Sequence, residues 1–100
     1  MEMLREQLFE ELRRFFKTQP VLKAWVFGSF ARNEQHDGSD IDILVVLDPM
    51  QPVGIKFFGM WGELERLLKR PVDLVVEGDL EPFAIESFNR DKKLVYERAA

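Results

Sequence analysis

Apolar positions return along this chain with two different periods, and the switches between those periods predict its elements in order. Between Met3 and Lys17, the residues Met3, Leu4, Leu8, Phe9, Leu12, Phe15 and Phe16 recur at steps of three and four, the spacing of one helix face. Glu and Arg fill the remaining positions, so the segment reads as an amphipathic helix with a solvated charged side. Thr18-Gln19-Pro20 stops it, because the residue before a proline is pushed out of the helical region. Val21 to Phe27 is β-branched and aromatic and is predicted as a first strand, with Trp25, Val26 and Phe27 in the core. After Gly28-Ser29 there is room for one helical turn, Phe30-Ala31-Arg32, and Ser29 is placed either to cap it or to meet a phosphate. The turn-forming stretch Asn33 to Ser39 then leads into a second, almost wholly apolar strand, Ile41 to Leu47.

Asp48-Pro49-Met50-Gln51-Pro52 closes that strand. From Val53 to Arg70 a long helix is expected to bury Phe57, Phe58, Trp61, Leu64, Leu67 and Leu68 and to expose Glu63, Glu65, Arg66, Lys69 and Arg70. Gly54, Gly59 and Gly62 each cost about 1 kcal/mol relative to alanine inside a helix. The first half is therefore expected to be either irregular or closely packed. Pro71 ends the helix, and Val72 to Val76 is a third strand. Pro82 suits the first position of a short helix, Phe83 to Asn89. Lys93 to Glu97 completes the chain as an edge strand guarded by neighbouring charges. Helices alternating with strands argue for an α/β (α+β) layer structure: a small mixed sheet of three to four strands with helices packed on it, forming a single domain over residues 1–100.

Composition narrows the chemistry. With 18 acidic against 14 basic residues the formal charge is -4, so the chain has no general attraction to a phosphate backbone and direct nucleic-acid binding is not expected. No cysteine is present, which removes disulfides, thiolate zinc sites and cysteine nucleophiles. The first eleven residues are too charged for a signal peptide, and no apolar run approaches the ~20 residues of a membrane span. The chain is read as cytoplasmic.

The candidate chemistry lies in carboxylates at strand starts. Asp40 and Asp42 stand two residues apart where the second strand begins, so their side chains share a face. Asp73 recurs near the start of the third strand. If those strands are neighbours in register, all three carboxylates converge as oxygen ligands for a hard cation such as Mg²⁺, with substrate phosphates and water completing the shell. Aspartates at strand ends more commonly bond local backbone N–H groups, and an isolated Asp-x-Asp carries little weight. Here Gly28-Ser29 lies ten residues earlier, Arg32 follows that serine by three, and Asp73 supplies the third carboxylate. The only histidine, His36, is read as a solvated loop residue, with a ligand or base role as the alternative. The chain has no P-loop, dinucleotide glycine fingerprint or Gly-x-Ser-x-Gly elbow, and Asp37 to Asp48 lacks the spacing of a calcium loop.

In these residues, Gly28-Ser29, ten residues, Asp40-x-Asp42 and then Asp73, the chain resembles the polymerase-beta-type nucleotidyltransferase superfamily, and within it the minimal nucleotidyltransferases. The resemblance implies the nucleotidyltransferase fold. It implies that Gly28 and Ser29 hold the terminal phosphates of ATP or another NTP, with Arg32 facing the triphosphate or turned toward Asp37 or Asp40. It further implies that Asp40, Asp42 and Asp73 bind metal, two Mg²⁺ ions in the full arrangement, while Asp73 also activates the acceptor hydroxyl. Ser39 is a weaker candidate, supporting the metal loop or serving only the turn. Small members of this branch act as antitoxins beside a helical HEPN-domain RNase toxin and transfer AMP from ATP to a tyrosine of that partner. A chain this short favours a protein acceptor, since it has no second domain to hold an antibiotic or a tRNA. Two other readings stand beside this one: a non-catalytic antitoxin or regulatory subunit, and a catalytic subunit active only with a separate helical substrate-binding protein. Assembly with itself or with that partner is compatible with all three.

Overall fold

The two periodicities become two layers and a partial third. The structure is a computed structural model and describes residues 5–36, 38–51 and 54–99, of Ile55 the backbone only. Met3, Leu4, Asp37 and Val53 lie outside the described residues. Helix α1 (Arg5–Phe16) is followed by strand β1 (Val21–Phe27), a 3₁₀ turn (Gly28–Phe30), strand β2 (Ile41–Leu47) and helix α2 (Gly54–Leu68). Strand β3 (Val72–Val76), helix α3 (Pro82–Asp91) and strand β4 (Lys93–Glu97) complete it. One four-stranded sheet has the order β3-β2-β1-β4. β1 runs antiparallel to both β2 and β4, whereas β2 and β3 are parallel because α2 supplies the crossover a parallel pair requires.

Alternation assigns each strand residue to a face. Val21, Ala24 and Val26 of β1, Ile41, Ile43 and Val45 of β2, and Val72 and Leu74 of β3 are all buried in one cluster. Leu8, Leu12 and Phe16 of α1 and Met60, Leu64 and Leu68 of α2 close that cluster from the helix side. A register shift between Val21 and Lys23 brings Val21 and Ala24, three residues apart, to the same side. The other face of the sheet carries Asp42, Leu44, Asp73, Trp25 and Phe27. α3 covers part of it by setting Phe88 edge-on against Phe27 and Trp25, at 5.1 and 6.3 Å between ring centroids.

Helix α2 departs from expectation in several respects, one of them Leu67, expected in the buried face but 37% exposed. The helix is regular from Gly54 onward, and a Cβ at Gly59 would meet nothing within 4 Å, so that glycine serves neither an irregular start nor a close approach. Phe58, expected in the core, is 69% exposed because it lies about a third of a turn off the buried stripe of Phe57, Met60, Trp61, Leu64 and Leu68. The helix ends at Leu68 rather than Arg70, since Lys69 adopts a left-handed φ of 55° while its amide donates to the Glu65 carbonyl. At the far end of β2, the buried Asp48 accepts hydrogen bonds from Arg98 Nη1 (2.6 Å), the Met50 amide (2.9 Å) and Gln51 Nε2 (3.2 Å). That network fastens the segment after β4 to the loop after β2.

Candidate active site

Buried neighbours put the carboxylates where they are. Ile41 and Ile43 point into the core, so Asp42 between them must point to the opposite face; Val72 and Leu74 do the same for Asp73. The parallel register pairs Asp42 with Asp73, and the antiparallel register on the other side pairs Asp42 with Phe27. The strands are therefore neighbours in register, as expected, but this pairs only Asp42 with Asp73, and the expected convergence of all three carboxylates on one ion is not found among the described residues. Phe27 leads directly into Gly28, whose φ is +72° and whose position leaves no room for a side chain: a Cβ there would lie 2.2 Å from Asp42 Oδ2. Glycine is required twice over, by backbone and by space.

The turn after Gly28 is tight. The Ala31 and Arg32 amides both donate to the Gly28 carbonyl, at 3.1 and 3.2 Å, and the Glu34 amide donates to the Ser29 carbonyl at 2.8 Å. Ser29 stands inside this turn and makes no capping bond, because the residue at the cap position is Phe27. Of its two expected tasks, capping is excluded. Gly28, Ser29, Arg32, Asp40 and Asp42 line a shallow, open depression of about 460 Å³, with His36, Gly38 and Ser39 on its loop side. Asp73 stands beside Asp42 on the next strand and does not line the depression.

Asp40 is exposed at its rim, and the residues on either side of it are fixed. Ser39 is 7% exposed; its hydroxyl accepts the His36 amide (2.8 Å) and its own amide donates to the His36 carbonyl (2.9 Å), so it serves the turn. The Ile41 amide donates to the Pro71 carbonyl (3.1 Å). Asp73 is held from behind in the same way. The Val72 amide donates to Glu65 Oε2 (2.9 Å), and Trp61 Nε1 donates to the Val72 carbonyl (2.6 Å). Glu65 was expected on the solvated side of α2; it is half-buried and braces the strand that carries Asp73. No periodicity signals that role.

The charges are lopsided. Burial, followed by the charges of Asp73 and Asp40, pushes the Asp42 carboxyl up to about 6, and only the charge of Arg32 works in the opposite direction. Arg32 itself donates from Nη1 to Asp91 Oδ2 (3.0 Å) and from Nε to Glu34 Oε2 (3.2 Å), bonds that raise its pKa further. Its partners are thus the last residue of α3 and a neighbour in the loop, not Asp40. Asp37 lies outside the described residues. The Asp91 carboxylate is 9% exposed and held below the usual range, first by Arg90 and then, against the cost of burial, by Arg32.

Among the described residues, no three His, Asp or Glu side chains come close enough together to hold one metal ion. The donor set nonetheless fits a hard cation. Two carboxylates adjacent in register, with a third whose charge is felt at Asp42, form a negative site with all-oxygen donors, and Mg²⁺ binds through one or two carboxylates plus substrate phosphates rather than in an all-protein cage.

The chain belongs to the nucleotidyltransferase domain family, whose profile matches residues 5–95. Protein adenylyltransferase MntA of Thermococcus cleftensis is 39% identical over 72 residues, 72% of this chain and 69% of that protein. A Methanocaldococcus jannaschii protein assigned as protein adenylyltransferase MJ0128 is 44% identical over 72 residues, 71% of this chain and 70% of its own length. Among solved structures, a minimal nucleotidyltransferase is 30% identical with a TM-score of 0.64, over 89% of this chain and 86% of that one. A toxin–antitoxin structure with AMP-PNP superimposes with a TM-score of 0.73 at 21% identity over 90% of this chain and 73% of that one. An MNT antitoxin in complex with the tri-AMPylated HEPN toxin of Shewanella oneidensis gives 0.69 at 16% identity, over 95% and 74%. These last two likenesses establish the fold. Among the described residues no helix is long and apolar enough to cross a membrane.

Proposed function

We propose that this chain transfers AMP from ATP to a hydroxyl, that of a tyrosine, on a helical HEPN-type toxin partner and thereby neutralises it. The observation that carries the reading is the contact of the Gly28 turn with Asp42, whose carboxyl is raised by burial and then by Asp73 and Asp40. A phosphate-binding turn and a crowded carboxylate site are thereby joined within one side-chain diameter. Support comes from relatives at 39% and 44% identity that carry the name protein adenylyltransferase, and from fold neighbours solved with an ATP analogue and with an AMPylated toxin. The proposal includes a cytoplasmic reaction, in keeping with ATP as the donor.

In this mechanism Gly28 and Ser29 hold the terminal phosphates, and Arg32 faces them from the rim while Asp91 orients its guanidinium. Asp40, Asp42 and Asp73 would hold Mg²⁺, which when bound would neutralise charge on the phosphates and acidify the acceptor hydroxyl. The acceptor oxygen bonds to the α-phosphorus as the bond from that phosphorus to the bridging oxygen breaks. Pyrophosphate leaves with the electron pair, and the hydroxyl proton passes to Asp73. Labelled ATP, Mg²⁺ and the protein encoded beside this chain provide the test. Label is expected on that partner, absent with Asp42→Asn and absent when EDTA removes the metal. Tight complex formation without label would sink the proposal and leave a non-catalytic antitoxin.

A second reading is favoured by the lining of the depression, which consists of Gly, Ser, Arg, His and Asp and offers no apolar wall for a nucleobase. In that reading a separate helical protein completes the nucleotide pocket. ATP binding by the chain alone argues against it; binding only in the complex argues for it.

A further inference from the structure

Two consecutive residues at the junction of α2 and β3 grip the backbone on both sides of Asp40. Arg70 Nη1 donates to the Ser39 carbonyl at 3.2 Å, and the Pro71 carbonyl accepts the Ile41 amide at 3.1 Å. The same guanidinium lies over the ring of Phe30, 4.8 Å from its centroid. Phe30 is the last residue of the Gly28–Phe30 turn and is 3% exposed, so its ring is a fixed plate. On the other side of that turn, Arg5 Nε and Nη2 donate to the Phe30 and Ala31 carbonyls at 2.8 and 3.0 Å. Arg5 joins the turn to its own helix, where its guanidinium lies 4.9 Å from the centroid of the Phe9 ring, whereas Arg70 joins the turn to the Asp40 loop.

Helical periodicity assigns Arg70 to a solvated face, whereas its surroundings partly bury it. It is half-buried, and its Nε is buried with no partner among the described residues. A solvated arginine would keep that donor in water, since leaving a buried donor unpaired costs about 1–3 kcal/mol. The left-handed backbone at Lys69 is what turns the chain back toward the loop. Both features carry a cost, and the contacts they permit are those to Ser39 and Phe30.

We propose that Arg70 is a positioning residue that sets the separation between the phosphate-binding turn and Asp40, with Arg5 holding the turn from the opposite side. The inference rests on the proposed AMP transfer for its catalytic consequence, though not for its structural one. Arg70 touches no substrate atom; it acts through Phe30 and Ser39. A planar, forked cation is needed because a single group must stack and donate at once, which an ammonium does poorly.

Two readouts separate this role from ordinary stability. Amide hydrogen exchange on the full chain without ligands should show Arg70→Met exchanging roughly tenfold faster at Ala31, Arg32 and Glu34 and also at Ser39 and Ile41, with β1 and β4 unchanged. Arg5→Met should speed only the first group, and Arg70→Lys should fall between Arg70→Met and the natural protein. In the transfer assay, kcat/KM for ATP should fall on the order of 100-fold in Arg70→Met through both a lower kcat and a higher KM, with partial recovery in Arg70→Lys. Unchanged exchange at the two groups overturns the proposal, as does a uniform rise over the whole sheet, which would mark a plain loss of stability. If Arg70→Met does not fold, Arg70→Lys is read by the same criteria. A natural protein that transfers no AMP defeats the proposed function, and the brace is then decided by exchange alone.

Discussion

Among the glycines, Gly28 is the most tightly constrained, by Asp42, and the consequences follow from the chemistry of those two residues. Any side chain at position 28 meets the Asp42 carboxylate and must also hold a φ of +72°, which costs an L-residue about 1–2 kcal/mol before the clash is counted. Gly28→Ala should therefore lower stability in urea by more than about 2 kcal/mol and abolish AMP transfer; a folded, active Gly28→Ala protein would contradict the assigned contact. Asp42 yields a prediction of opposite sign. An unfolded aspartate titrates near about 3.9, while the folded carboxyl is pushed up to about 6 by burial, Asp73 and Asp40. As pH rises from about 4 to about 6 the unfolded chain releases a proton that the folded chain retains, so ligand-free stability falls across that window. Asp42→Asn should remove this fall and raise Tm at pH 7 while eliminating transfer, a direct exchange of function for stability. Thermal melts from pH 4 to 7, with and without the substitution, check the sign.

At the scale of elements, α2 shows what periodicity reveals and what it hides. Its existence, its crossover role and its Leu64 and Leu68 stripe follow from the spacing of apolar residues, and the positions of all four strands follow from β-branched runs between turn residues. Hidden from the sequence were the uses of Trp61, Glu65 and Arg70. They stand at positions that a helical wheel assigns to the core or to water, yet they bond the backbone beside Asp73 and Asp40. Only the approach of β2 and β3 gives those side chains their partners. Gly59, by contrast, has neither a packing nor a backbone reason to be glycine. Gly59→Ala should raise stability by about 1 kcal/mol, seen as a higher urea midpoint at constant slope, with transfer unchanged.

For the whole molecule, contacts distant in sequence decide how firmly the site is framed. Arg32 reaches Asp91 across 59 positions, and Arg98 reaches Asp48 across 50, so helix α3 is tied to the loop after β1 and the segment after β4 to the loop after β2. Asp48 is held below the usual carboxylate range by its bond from Arg98, then by the Met50 amide. Its contribution is present above the unfolded value of about 3.9 and lost as pH falls through the lowered folded value. Asp48→Asn should flatten the acid limb of the stability curve below about pH 4, opposite in sense and lower in pH than the effect of Asp42→Asn. Acid denaturation of the two variants beside the natural protein distinguishes them.

The sequence by itself determined the order and kind of elements, the carboxylates at the strand starts and the Gly-Ser turn before them, because these depend on local period, local turn chemistry and spacing along the chain. It left Ser29 with two roles, Arg32 with a choice of partners and the glycines of α2 with either an irregular start or close packing. The tertiary structure decided those points: Ser29 sits inside its turn, Arg32 pairs with Asp91 and Glu34, and Gly59 faces open space. It also set Asp42 against both Gly28 and Asp73, since a contact across three strands exists only once their register is chosen. That register is a property of the packed sheet, fixed by which residues must be buried together, and no window of the chain contains it.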